Sequence, residues 1–147
     1  KIGKRNLYPI GDPHVRNDWV FDSRLSYTYQ KAQDFTDKSD KDTYGGQISY
    51  IPWHSGSAIL NAGYKSWELN YSFIYTGERY DVSANTPENY RLPWYTSDFS
   101  LAKKFSWRKY DFKLTLEVNN IFNQQYEVVR SYPMPGTNFK FILNLTI

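Results

Sequence analysis

There is no cysteine anywhere in these 147 residues. That absence removes disulfide frameworks, thiolate-ligated zinc and thiol nucleophiles together, while leaving the compartment open. Histidine is nearly as scarce: His14 and His54 are the only two, and neither has a His or Cys partner at ligand spacing, which argues against a metal site. No apolar run reaches the ~18 residues that mark a transmembrane helix, and no segment repeats apolar residues at the helical period. Lys1-Ile2-Gly3-Lys4-Arg5 is basic but leads into no apolar core, so no secretory leader opens the chain. An exported protein with this sequence is expected to be a mature piece or a fragment. A block of one charge sign is also missing. The net charge of +3 comes from interspersed signs, which gives a nucleic-acid partner no support.

Aromatic residues are abundant. They make up 19% of the chain, although mean hydropathy is only −0.70. Disordered chains are aromatic-poor, whereas strands favour aromatic and β-branched side chains. Alternation is the matching pattern. From Asp18 to Asp34, Trp19, Phe21, Leu25, Tyr27 and Tyr29 share one parity, and Asp22, Arg24, Ser26, Thr28 and Gln30 share the other. Ser57 to Lys65 and Trp67 to Thr76 alternate in the same way, as do Tyr95 to Phe105, Asp111 to Asn119 and Phe139 to Ile147. In the last of these Ile142 is the single apolar residue of the polar parity. A short further strand is expected over Gln47–Ile51, and Pro52 to Gly56 reads as a break. Residues 1–18, with Pro9, Gly11 and Pro13, read as a loop or partial strand, leaving 19–147 as an all-β, antiparallel up-and-down meander of about six long strands.

Two physical readings fit such alternation. In a soluble β-sandwich that binds a ligand or protein, the apolar parity would face a core. In a transmembrane barrel it would face lipid, with the polar parity lining the lumen. Strands of about 9–13 residues exceed the usual mode of about 5–6, which favours the membrane. Connections alternate in length too. Those at 63–66 and 106–110 are short, and those at about 35–55, 78–94 and 120–137 are long, matching the short periplasmic turns and long outer loops of spanning barrels. Trp19, Trp67 and Trp107 fall at the short-turn ends, Trp53 and Trp94 near the long-loop ends, a placement that suggests two interfacial girdles. Six strands do not close a membrane barrel, which takes at least about eight. An open edge in hydrocarbon would leave costly unpaired backbone groups.

Two segments carry a family likeness. One is Glu117-Val118-Asn119-Asn120-Ile121-Phe122-Asn123-Gln124-Gln125-Tyr126, and the other is Tyr132-Pro133-Met134-Pro135-Gly136-Thr137-Asn138-Phe139. They resemble the C-terminal signature of TonB-dependent outer-membrane receptors, in which V-x-N-[L/I]-F-[D/N]-x-x-Y ends the penultimate strand and P-G-[R/T]-x-[F/Y] starts the last. Leu25 to Ala32, Ile51 to Gly56 and Tyr75 to Tyr80 agree with the same family in order. Here Thr137 stands where Arg is common, and Ile147 where the family usually ends on Phe. The resemblance implies a 22-stranded barrel in the outer membrane, of which 19–147 would be the C-terminal part. It also implies a plug domain and TonB as partners, and import of a scarce nutrient such as a siderophore, cobalamin or glycan. From the residues themselves, no cofactor and no enzyme activity are expected.

The long loops hold the candidate ligand contacts: Arg79, Tyr80, Tyr90, Arg91, Trp94, Arg130 and Tyr132, because aromatic and Arg side chains dominate recognition energy. Asp22, Arg24, Glu68, Asp98, Lys113 and Glu117 are expected on the lumen face, paired with the plug or with one another. Asp34, Asp37, Asp40 and Asp42 lack the order and glycine of a calcium loop and read as solvated, interleaved with Lys38 and Lys41. Ser55 beside His54 is not a nucleophile elbow. The sequons at Asn70 and Asn144 fall inside strands and are set aside.

Overall fold

A computed structural model describes residues 19–147. The loop or partial strand expected over 1–18, with His14, lies outside them. Ten strands follow in chain order: β1 (Val20–Tyr29), β2 (His54–Tyr64), β3 (Trp67–Thr76), β4 (Arg79–Tyr80), β5 (Tyr90–Arg91), β6 (Trp94–Trp107), β7 (Tyr110–Asn119), β8 (Glu127–Val129), β9 (Tyr132–Pro133) and β10 (Asn138–Thr146). Six of them form one antiparallel sheet in the order β1-β2-β3-β6-β7-β10. The other four make two small hairpins, β4 with β5 and β8 with β9, inside the second and third long loops.

Register confirms the two faces. Phe21 pairs with Ala62, Ala62 with Leu69, Leu69 with Leu101, Leu101 with Leu116, and Leu116 with Phe141. One apolar row therefore crosses all six strands on one face. A polar row crosses the other: Asp22, Asn61, Asn70, Ser100, Glu117 and Lys140. Because side chains alternate strictly along a strand, a one-residue slip anywhere would exchange these faces. Lys65 and Arg108 sit in the two short turns at φ 54° and 57°, the left-handed conformation that tight hairpin turns demand.

The apolar face has no second layer. Ala102, on the other face, is the only apolar residue buried among the described residues, whereas Leu25 is 81% exposed and Phe141 70%. A β-sandwich needs two sheets packed about 10 Å apart, and the described residues supply one. The sheet is also open, since β1 and β10 each pair on one side only.

The polar face supports itself. Glu68 takes the ammonium groups of Lys104 at 2.5 Å and Lys113 at 2.7 Å. Asn61 bonds Asp22 at 3.2 Å and Asn70 at 2.5 Å, and Lys140 lies 3.7 Å from Glu117. Asp98 accepts from the backbone N–H of Asn120 at 2.8 Å. The apolar face carries few polar groups. Ser97, fully buried, shares a 3.0 Å hydrogen bond with the Tyr71 hydroxyl.

Four details differ from the sequence reading. Gln47–Ile51 is no strand: Gln47 makes one isolated bridge to Gln33, and Tyr50 at φ 60° breaks the extension. The segment Pro52 to Gly56 does not interrupt β2, which begins at His54 because its neighbours are already aligned, with Tyr29 opposite His54 and Thr76 opposite Ser55. β1 stops at Tyr29, opposite His54 where its partner β2 begins. The tryptophan girdle is one-sided. Trp19, Trp67 and Trp107 are exposed at the short-turn ends, but Trp94 shares the parity of Thr96 and Asp98 and stacks on Tyr126 at 4.5 Å, and Trp53 is half-buried before β2. At the long-loop ends the apolar face instead presents Tyr29, Tyr75 and Tyr95, with Phe122 beside Tyr95.

These faces respond differently to charge. If the apolar row faces lipid, Leu116→Arg in that row should destabilise the protein by about 2–4 kcal/mol, the cost of a cation near the midplane. Thr115→Lys, one residue away on the polar face, should stay within about 0.5 kcal/mol of the parent. Denaturant unfolding of the protein reconstituted in lipid measures both, and equal costs would contradict the facing.

Candidate functional site

The three long loops gather at one end of the sheet. Their geometry begins at Asn120, where β7 leaves the sheet. Asn120 is buried at φ 50°, a left-handed position that Asn tolerates better than most residues. Its side-chain amide donates to the carbonyls of Gln124 at 2.9 Å and Pro135 at 3.1 Å, and its side-chain oxygen accepts from the Gln124 N–H at 2.9 Å. Its own carbonyl accepts from the Thr137 hydroxyl at 2.7 Å. Asn123, at φ 49°, accepts from the Thr137 N–H at 3.2 Å. Gly136 passes so close to the Asn123 side chain that a Cβ there would collide with its oxygen. The exit from β7 and the entry to β10 are thus tied by one hydrogen-bonded knot.

The loops are also tied to one another. Asn85 holds Gln47 by both ends of its side-chain amide, the oxygen accepting from the Gln47 N–H and the nitrogen donating to the Gln47 carbonyl. The Tyr50 N–H donates to the Tyr80 carbonyl at 2.8 Å. Arg79 is buried, and its guanidinium donates to the carbonyls of Glu127 at 2.8 Å and Val128 at 3.2 Å. Asp81 is buried as well, and it accepts from Arg91 in the same loop and lies 3.4 Å from Arg130 in the next. Buried charges persist when paired in this way. Tyr80 packs edge-on against Tyr90, and the Tyr90 hydroxyl donates to Glu78 at 2.7 Å. That bond to a carboxylate favours the neutral phenol and pushes its pKa up to about 12.

Between the second and third loops lies a cavity of about 450 Å³. Tyr90, Arg91, Leu92, Pro93 and Trp94 form one wall, and Gln124 to Glu127 with Pro133 form the other. Its floor is the stacked pair Trp94 and Tyr126. Burial raises the pKa of the Tyr126 phenol, and the carboxylate of Asp98 adds to the effect. The indole N–H of Trp94 is buried with no acceptor among the described residues. Rigid aromatic walls with a few amide and guanidinium donors suit a small polar ligand with apolar surface.

A protein-family model described as TonB dependent receptor-like, beta-barrel, matches residues 8–121. The chain belongs to this family. Its members are outer-membrane receptors of TonB-dependent transport, and the six-stranded antiparallel sheet is a section of such a barrel wall, open at both edges. A search of curated proteins returned no match.

Within the receptor barrel the seven expected contact residues divide. Tyr90, Arg91 and Trp94 line the cavity. Tyr80 supports Tyr90 from behind, and Arg79 is spent on loop carbonyls. Arg130 leans on Asp81, and Tyr132 lies exposed beside Val128, Val129 and Met134. The opposite wall, Gln124 to Tyr126, is absent from that expectation. Its signal was in the sequence, because Tyr126 closes the V-x-N-I-F-N-x-x-Y segment. The acidic loop caps its own turns: Asp34 accepts from the Thr36 N–H and Asp37 from the Ser39 N–H, each at 2.8 Å. The Thr36 and Ser39 side-chain hydroxyls, and then these backbone bonds, hold both carboxyl pKa values below the usual range. His54 bonds the Tyr27 hydroxyl at 2.8 Å at the start of β2.

Removing the knot should loosen one loop selectively. Asn120→Ala leaves buried carbonyl and amide groups unpaired and should cost about 1–3 kcal/mol. It should also speed hydrogen exchange at Gln124 and Thr137 while leaving β3 protected. Asn120→Gly suits the backbone but lacks the side chain, so it should recover only part of the loss.

Proposed function

We propose that this chain is the C-terminal section of an importer barrel. In this reading residues 19–147 supply wall, three outer loops and, in β10, the strand that closes the barrel against its first strand. Ligand is captured from outside by the loops. TonB, acting through a plug domain, then opens the path inward. The cargo class is a scarce nutrient: a siderophore, cobalamin or glycan. The observation that carries the capture step is the cavity between the second and third loops, with Trp94 and Tyr126 as its floor. Aromatic faces of this kind stack on ring systems and on the apolar faces of sugars. Arg91 is already committed to Asp81, so it serves as an oriented donor rather than a free charge.

Uptake assays with the complete receptor containing this sequence provide the test. Cells that depend on it are offered ferric siderophores, cobalamin or oligosaccharides, each labelled. One class should enter in a TonB-dependent manner. Trp94→Ala and Tyr126→Ala should each raise the half-saturating concentration by roughly ten-fold, the equivalent of about 1.4 kcal/mol of lost contact, at unchanged receptor abundance. Uptake of that class with unchanged affinity in both variants would remove the cavity from the pathway.

A further inference from the structure

The short-turn rim of the sheet carries a charge pattern that ligand capture does not use. Lys103 is one of the few polar residues on the apolar face, paired with Trp67 of β3 on one side and Leu114 of β7 on the other. Its ammonium lies 4.1 Å from the centre of the Trp67 ring. The two short turns add three more cations over apolar-face rings. Lys65 lies 5.1 Å from the Tyr64 ring, Arg108 5.2 Å from Trp107, and Lys109 5.3 Å from Tyr110. The acids at this end, Asp22, Glu68 and Asp111, have the opposite parity. They engage Asn61, Lys104 with Lys113, and Ser106 respectively. The long loops at the other end mix both signs. One rim of the apolar face is therefore basic and aromatic, with no acidic side chain among the described residues.

We propose that this rim is a binding surface for the phosphate headgroups of anionic phospholipids in the leaflet at the short-turn side. The inference rests on the membrane reading given above. Indole and phenol rings settle at the level where hydrocarbon meets water. A cation held over such a ring is stationed at headgroup depth, and each Lys or Arg near an anionic surface adds attraction. The exposed apolar rows direct acyl chains to the same face. Lys103 is half-buried between strands and has no carboxylate partner among the described residues, which leaves its charge to an anion from outside the chain. One turn places Lys65 and the other Arg108 and Lys109 along the rim, so more than one headgroup is accommodated.

Native mass spectrometry of the complete receptor, reconstituted in phosphatidylcholine with or without phosphatidylglycerol, reads the preference directly. The parent should retain phosphatidylglycerol over phosphatidylcholine. Lys65→Gln, Lys103→Gln, Arg108→Gln and Lys109→Gln should each lower that preference, by roughly five-fold per cation, and together abolish it. Lys38→Gln with Lys41→Gln, in the first long loop, should leave it intact. Lys103→Arg keeps the charge and should keep the preference, which separates loss of charge from loss of fold. An excess of inorganic phosphate should not displace the lipid, and displacement by phosphate alone would overturn the lipid assignment. A receptor that inserts in both bilayers without preferring phosphatidylglycerol overturns the inference and leaves the membrane reading standing. A receptor that inserts in neither overturns both.

Discussion

Every backbone N–H and C=O that sits in hydrocarbon needs a partner in the protein, because no water is there to supply one. That constraint organises this molecule. It explains why long strands replace a compact core, why the six main strands pair without a crossover, and why the two short connections are tight hairpins at positive φ. It also explains what the sheet lacks. β1 and β10 each expose one row of backbone groups, and in a family whose barrels close, those rows meet neighbouring strands. Ser97, buried on the apolar face, obeys the same rule through its bond to Tyr71.

The long loops answer a different demand. They stand where water is available, so their cohesion comes from side chains rather than from a ladder. Arg79 and Asp81 are buried charges spent on bridging one loop to the next, and Asn85 fastens the first loop to the second. The Asn120 knot then fixes this cap to the wall through β7 and β10. Bracing of this kind orders the loops around the cavity in advance, and preorganisation lowers the ordering cost of any binding there. The family motif thus reads physically. Its Asn occupies a left-handed turn, its glycine makes room for Asn123, and its Tyr becomes the cavity floor beneath Trp94.

Alternation made the wall legible before any coordinates. Leu69, Leu101, Leu116 and Phe141 fall in one row because side-chain period and sheet register are locked together. Loop structure was not legible in that way. The strands of the hairpins β4–β5 and β8–β9 are two or three residues long, too short to show a period. Arg79 looked like a ligand contact because composition cannot tell a buried arginine from an exposed one. Trp94 looked like a girdle residue because position along a strand was read without its parity. Tyr126 was visible as part of a motif, but its partner across the loops depends on long-range folding. Trp19, Trp67 and Trp107 kept their expected place because parity and strand end agree there.

Lipid on one face and water on the other is the central claim, and β7 offers the cleanest place to measure it. The chain has no cysteine, so single cysteines placed from 111 to 119 can each carry a nitroxide with no competing thiol in this segment. Collision with oxygen reports hydrocarbon, and collision with a water-soluble nickel chelate reports the lumen. Labels at Phe112, Leu114, Leu116 and Val118 should favour oxygen, and those at Asp111, Lys113, Thr115 and Glu117 the chelate, with a period of two. Uniform access of the chelate to all nine positions, or the opposite phase, would contradict a membrane wall.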